Sequence, residues 1–395
     1  MQDPFTSPVY KKNSLTPEIT DFYDIIDIVD VSAKFLNIYV KSKDRGYKYT
    51  IQWIPQGKSK DTKTPKFNNL TFSKFLTEKF VKNNRSPHIA SYLDSKIGCP
   101  GSVQALSKIL GIGCPDIRSI INKNAVRDHR AGICEIMARQ LAYDRDCADL
   151  IITRGWGRTM RSLLKKITRG IDERAFRKED YVFRKIEGLN RIIFQTIFTL
   201  AVIRSAYPGF SHGYLVPPNV LVEKVDSYNE NEYSAYYIND KIFYVKCNGL
   251  HGKIRNFGFS YIPGDEHDKN GMGYNSLRTA EETKEYPIGP DDNSFDMWNL
   301  LVPIWAGIRL GEHNLDGNIA AYLSRFFNMK LDEYILDFMS DPYNYENLQD
   351  GIDGIHLLDK FVMPPEQYLG TSVFDEYLML PEDAKIVHHF NRNIL

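Results

Sequence analysis

Four groups of residues in this chain are of types that could do chemistry. The first is His212, Tyr214 and Asn219, close together in one stretch. A tyrosine has no carboxylate, and at an ordinary pKa near 10 it is a poor base at neutral pH. The second is Asn256, followed by Phe257 and Gly258. An asparagine offers one neutral carbonyl oxygen, where a hard divalent cation prefers a charged carboxylate. The third is the carboxylate run Asp265, Glu266 and Asp268. The fourth is the pair His388-His389. Neighbouring side chains on a helix or strand point apart, so no metal site is expected there. The five cysteines, Cys99, Cys114, Cys134, Cys147 and Cys247, contain no C-x-x-C pair. Neither a zinc site nor a disulfide framework is indicated, and reduced thiols are expected.

The spacing of the first two groups carries a resemblance. Ser211-His212-Gly213-Tyr214-Leu215-Val216-Pro217-Pro218-Asn219 resembles the catalytic loop of protein kinases, His-Arg-Asp-Leu-x-x-x-x-Asn. His212, Leu215 and Asn219 match. Gly213 replaces the Arg, and Tyr214 replaces the Asp that would take the proton of the substrate hydroxyl. Downstream, Asn256-Phe257-Gly258 resembles Asp-Phe-Gly with the magnesium carboxylate replaced. Ser294-Phe295-Asp296-Met297-Trp298 resembles the Asp-x-Trp opening of the buried helix that anchors the catalytic loop through its backbone. Three ordered matches imply a protein-kinase-like α+β fold with a small β-rich lobe and a large helical lobe. Phe210-Ser211-His212-Gly213-Tyr214-Leu215 is also similar to a decayed Phe-x-His-x-Asp-Leu loop of kinase-like proteins of large DNA viruses.

Elements that would position these groups follow in chain order. Residues 1–20, with Pro4, Pro8 and Pro17, read as an extended arm. Ile25–Val31, Phe35–Val40 and Lys48–Ile54 read as strands by their apolar and alternating patterns. Residues 21–153 would form the small lobe. No glycine precedes Gly46, so the glycine-rich loop that lets backbone close over phosphates is missing. By register Gln52 stands where the family has its phosphate-binding lysine; a one-residue slip would place Ile51 or Trp53 there. Phe72–Asn83 reads as a helix. Its Glu78 matches the glutamate that pairs with that lysine, and with Gln52 as partner only a neutral hydrogen bond remains. Residues 95–147 read as a helical insertion, punctuated at Gly98-Cys99-Pro100-Gly101 and Gly111-Ile112-Gly113-Cys114-Pro115. Residues 154–395 would form the large lobe. A buried helix is expected over Leu189–Arg204, because its apolar residues leave no polar stripe. A hairpin insertion is expected over 223–252. Helices are expected at Leu300–Ile308, Ile319–Phe327 and Leu331–Phe338, before a proline-interrupted tail.

The chain has 395 residues and a formal net charge of zero. That zero hides an asymmetry of +15 over residues 1–263 and −15 over 264–395, which can orient partners or self-association. Arg154 to Arg191 holds twelve basic and five acidic residues. It has no nucleic-acid-binding motif, so a solvated basic face is the simpler reading. No stretch reaches the length of a bilayer span, and the N-terminus has no signal-peptide order. A cytoplasmic protein, or a virion component, is expected.

Losing the base, the metal carboxylate and the phosphate cation together removes most of what positions and neutralises a transferring phosphate. The expectation is therefore a pseudokinase, binding a protein partner as a scaffold or regulatory module, with no metal and no cofactor. Should ATP with magnesium still bind, Asn219 and Asn256 would hold it. A weak Ser/Thr kinase that recruits Asp265, Glu266 or Asp268 is one alternative. A structural or assembly component of a virus particle, joined through its basic and acidic surfaces, is the other.

Overall fold

The computed structural model describes residues 23–31, 36–44, 46–55, 65–101, 148–154, 157–161, 163–164, 178–263, 272–273, 294–309, 317–327 and 362–392. The described elements are α+β and fall into two compact units.

The first unit comprises Met1–Thr62 and Ser91–Trp156. Its strands are β1 (Tyr23–Val31), β2 (Leu36–Ser42), β3 (Lys48–Pro55), β4 (Ser91–Gly101) and β5 (Ala148–Arg154). They form one antiparallel sheet in the order β1-β2-β3-β5-β4. Val31 pairs with Leu36, which leaves Ser32 to Phe35 for the connection, none of them glycine. Strand β3 is central. Ile51 and Trp53 alternate with Thr50 and Gln52, and all four are buried. Gln52 lies opposite Asn37 on β2 and Ile151 on β5. Strand β4 runs on through Gly98-Cys99-Pro100-Gly101, a stretch expected to end helices. The correction has a physical reason: β4 is an edge strand, where a proline costs no ladder hydrogen bond on the solvent side. The rest of the 95–147 insertion, residues 102–147, and the N-terminal arm 1–20 lie outside the described residues.

The second unit comprises Lys63–Ala90 and Gly157–Leu395. The segment 63–90 therefore belongs here, although sequence order groups it with the strands on either side. It holds helix α1 (Pro65–Leu76), which continues into a π-helical turn over Thr77–Val81. The helix begins seven residues before the expected Phe72, with proline at its first position, where the missing N–H costs nothing. Phe72, Leu76 and Phe80 are buried. Phe72 packs on Phe210 at 6.1 Å and Phe75 on Tyr207 at 5.0 Å. Backbone bonds from Ala90 N–H to the Ile254 carbonyl, 2.8 Å, and from Ile254 N–H to the His88 carbonyl, 2.9 Å, tie the segment down.

Helix α2 (Lys178–Ala206) extends the expected Leu189–Arg204 toward its N-terminus. Ile186–Ala206 is apolar and long enough to cross a bilayer, yet it is mostly buried inside this unit. Phe194 is its hub: its ring lies 5.0–5.5 Å from Tyr236, Phe243, Phe374 and Tyr377. After the short strand β6 (Arg158–Thr159), strand β7 (Val220–Val225) pairs with β10 (Gly249–Ile254). Between them β8 (Glu232–Ile238) and β9 (Lys241–Lys246) form the expected hairpin. Its two-residue turn, Asn239-Asp240, has both φ values positive, the geometry such turns demand. Strand β13 (Lys385–Phe390) returns from the tail and pairs in parallel with β8. The short strands β11 (Tyr261–Ile262) and β12 (Met272–Gly273) pair with each other. Helices α3 (Phe295–Arg309), α4 (Gly317–Ser324) and α5 (Pro365–Tyr368) complete the described elements. The helix expected over Leu331–Phe338 lies outside them.

Phe194→Ala should cost about 3–5 kcal/mol of stability, because it opens a cavity inside a ring of aromatic contacts. Chemical denaturation followed by near-UV circular dichroism measures it. Substituting exposed Met379 in the same way should change stability by less than about 0.5 kcal/mol.

Candidate functional site

The loop from Ser211 to Asn219 is held by a carboxylate. Asp296, one residue into α3, is buried, and its two oxygens accept the His212 N–H at 2.6 Å and the Gly213 N–H at 3.0 Å. Burial pushes the Asp296 carboxyl up to about 6, while these donors and the Arg204 charge pull it down. Gly213 has φ +72, and a Cβ there would lie 2.2 Å from the Phe259 carbonyl oxygen. The family's arginine has no room at this position. Antiparallel backbone bonds between Ser211 and Tyr261, both 2.9 Å, join the loop to the next segment.

His212 is buried and uses both ring nitrogens. The Tyr214 N–H donates to Nδ1 at 3.3 Å, so Nε2–H is the donor to the Arg255 carbonyl at 3.0 Å. Burial lowers its pKa to about 4. An imidazole whose two nitrogens are both committed to backbone groups inside the protein is structural.

Asn219 sits in the 3-10 turn Pro217–Asn219 and is buried. Its Nδ2 donates to the Tyr214 carbonyl at 2.7 Å, so its Oδ1 faces Asn256, whose Nδ2 donates to it at 3.2 Å. The two amides that match the family's metal ligands are thus bonded to each other. Asn256 is in the left-handed region, φ 66, which asparagine tolerates better than most residues. Phe257 and Gly258 follow in a buried 3-10 turn, and the Phe257 ring packs on His212 at 5.1 Å.

Tyr214 stands where the base would be. It is 37% exposed, and its ring meets Phe259 edge-on at 5.7 Å. Glu78 is in the π-helical turn, 61% exposed, and pairs with Lys82 at 2.5 Å. Its carboxylate is a solvated helix group. Gln52 belongs to the first unit, buried on β3 opposite Asn37 and Ile151. Asp265, Glu266 and Asp268 lie outside the described residues. His388 and His389 bond different tyrosines, Tyr228 and Tyr237, each at 2.8 Å. Among the described residues no cluster of three or more His, Cys, Asp or Glu could hold a metal ion. A cavity of about 430 Å³ opens where α2 ends, lined by Arg204, Ser205, Pro208, Gly209, Ile238 and Glu366 among others. None of His212, Tyr214, Asn219 or Asn256 lines it.

Sequence reading passed over two features. Asn68 and Asn69 of α1 grip the turn after Asn256, and two asparagines inside a helix, where they are poor formers, were the available signal. The second is a buried polar cluster behind β10. His88 lies between the Gly252 carbonyl at 3.0 Å and the Tyr236 hydroxyl at 2.8 Å. His251 lies between the Cys247 carbonyl and Gln195. Its signal was no more than a histidine near the Pro87 turn.

Two outcomes follow. Gly213→Ala should lower stability by about 2 kcal/mol or more, from the positive φ and the carbonyl clash together, read by denaturant midpoint. Stability should also fall on acidification. Burial holds His212 and His251 at about 4 and His88 well below its usual value, whereas the unfolded chain titrates them near 6.5. Between those values the unfolded state binds more protons, so stability drops as pH falls. Asp296, at about 6 against 3.8, works in the opposite direction, and so does Glu376, raised by burial. Three histidines outweigh two carboxyls, so stability falls from pH 7 to pH 5. His251→Gln should reduce that slope.

No family model matches the chain. It is 29% identical over 362 residues to a putative serine/threonine-protein kinase, R301, of Acanthamoeba polyphaga mimivirus, covering 87% of both chains. It is 25% identical over 226 residues to a second, R400, of the same virus, covering 54% of this chain and 44% of the relative. The crystal structure of the PF14_0431 kinase domain aligns with a TM-score of 0.36 at 13% identity, over 80% of this chain and 72% of that one. That likeness is too loose to carry an argument. The sequence similarity to R301 extends over 87% of both chains, and it supports a viral kinase-like protein of the protein kinase superfamily.

Proposed function

We propose that the protein is a pseudokinase: a kinase scaffold that transfers no phosphate and serves as a binding or regulatory module for a protein partner. One observation carries this reading. Asn219 and Asn256 bond each other at 3.2 Å, at the two positions that in the family coordinate the metal. Phosphoryl transfer is catalysed chiefly by positioning and by neutralising charge. Two neutral amides, one of them already committed to the Tyr214 carbonyl, supply little of either. Tyr214 in place of the base and the neutral Gln52 at the expected place of the phosphate-binding lysine point the same way. The anchoring by Asp296 maintains the loop's shape, which a binding module needs as much as an enzyme does.

Thermal unfolding with and without millimolar ATP, plus magnesium or manganese, tests the proposal. A ligand at a hundred times its dissociation constant adds about 2.7 kcal/mol, or roughly two degrees or more for a chain this size. The expected shift is below one degree, with no phosphate transferred from labelled ATP to a generic protein acceptor. A metal-dependent shift of two degrees together with transfer would overturn the reading.

A further inference from the structure

Helix α1 and the turn after Asn256 are joined by an unusual pair of side chains. Asn68 and Asn69 are adjacent and both buried. The Asn69 Oδ1 accepts the Phe257 N–H at 2.7 Å. The Asn68 Nδ2 faces three backbone carbonyls, those of Phe257 at 3.3 Å, Gly258 at 2.9 Å and Ser260 at 2.8 Å. Chemistry fixes both amide orientations: an N–H can only donate and a carbonyl can only accept. Ser73, one turn on, places its hydroxyl 3.4 Å from the Asn69 oxygen.

These bonds engage a short stretch that also carries the loop. The Ser260 hydroxyl donates to the His212 carbonyl at 3.1 Å, and Tyr261 pairs with Ser211. The neighbouring Arg255 N–H donates to the Asn219 carbonyl at 3.0 Å. A chain of direct contacts therefore runs from α1 through the turn to the loop. Every link is neutral and buried. None involves Glu78, whose charge is paired with Lys82 at the surface.

We infer that Asn68 and Asn69 form a latch that fixes the Asn256–Ser260 turn to helix α1 in one conformation, without help from nucleotide, metal or phosphorylation. The latch adds a regulatory property to the pseudokinase reading: the surface around Tyr214 and Phe259 is permanently set, so a partner reads the same shape in every nucleotide condition. Neutral amide bonds suit that role. They are worth little as charge–charge attraction, but each is buried, and breaking one leaves an unpaired polar group at a cost that keeps the turn closed.

Hydrogen exchange of the full chain, read by mass spectrometry on a peptide spanning 256–262, tests this. In the native protein that peptide should be protected equally with and without ATP and magnesium. Asn68→Asp keeps the shape but sets a carboxylate oxygen against three carbonyl oxygens. It should speed exchange of the peptide at least tenfold, while a peptide from the β8–β9 hairpin is unchanged. Asn69→Leu removes the acceptor for Phe257 and should do the same. Should Asn68→Asp unfold the chain, by near-UV circular dichroism, Asn68→Ala is read instead, with the same expectation at smaller size. Unchanged exchange in folded variants, or protection that appears on adding nucleotide to the native chain, overturns the latch. The pseudokinase reading fails separately, by phosphate transfer.

Discussion

The loop from Ser211 to Asn219 hangs on one buried carboxylate. Asp296 is buried, so its charge is held by the His212 and Gly213 N–H groups and by the nearby Arg204. Those two bonds fix two successive peptide planes. Once they are fixed, Gly213 must take a positive φ and the His212 ring must turn inward to the Arg255 carbonyl. Tyr214 is then directed outward. Asn219 closes the loop by donating back to the Tyr214 carbonyl. The geometry is thus a consequence of satisfying a carboxylate in a low-dielectric interior, and it does not depend on any group that performs phosphoryl transfer.

That independence explains how the fold tolerates its substitutions. Positions that hold charge for the family's reaction carry neutral polar or aromatic side chains here, and the neighbours absorb them. Asn256 donates to the Asn219 oxygen, a bond that an ionised carboxylate at that position could not make. Asn68 and Asn69 tie α1 to the turn with amides. Glu78, released from a partner cation, becomes one half of an exposed helix pair, an interaction worth a few tenths of a kcal/mol. Replacing buried charges with neutral amides relieves desolvation cost, which a scaffold kept for its shape can exploit.

The hairpin inserted after β7 is built into the core. Tyr236 and Phe243, on β8 and β9, face Phe194 of α2, and β13 covers the other edge of β8. Asn391, just beyond β13, donates its Nδ2–H to the Tyr237 carbonyl and its backbone N–H to the Asn84 carbonyl, both at 2.9 Å. The tail thereby joins the hairpin to the end of the π-helical turn. An edge strand that would invite pairing with other chains is paired internally instead.

The sequence alone determined the local rules. A β-type apolar run placed β2, a period-two pattern placed β3, the all-apolar run placed the buried part of α2, and the spacing of His212, Asn219, Asn256-Phe257-Gly258 and Asp296 carried the resemblance to protein kinases, because backbone loops and their anchors are written at fixed short intervals. It also exposed the missing carboxylates, since residue identity needs no coordinates. Only the tertiary structure decided what those residues do. It pairs Asn219 with Asn256, assigns Glu78 to the surface, turns 98–101 into an edge strand, and brings Asn68 and Asn69 to a turn almost two hundred positions away. These are long-range pairings of ordinary polar side chains. A single sequence carries no periodicity or motif for such contacts, because burial and partner choice arise only when distant segments are packed together.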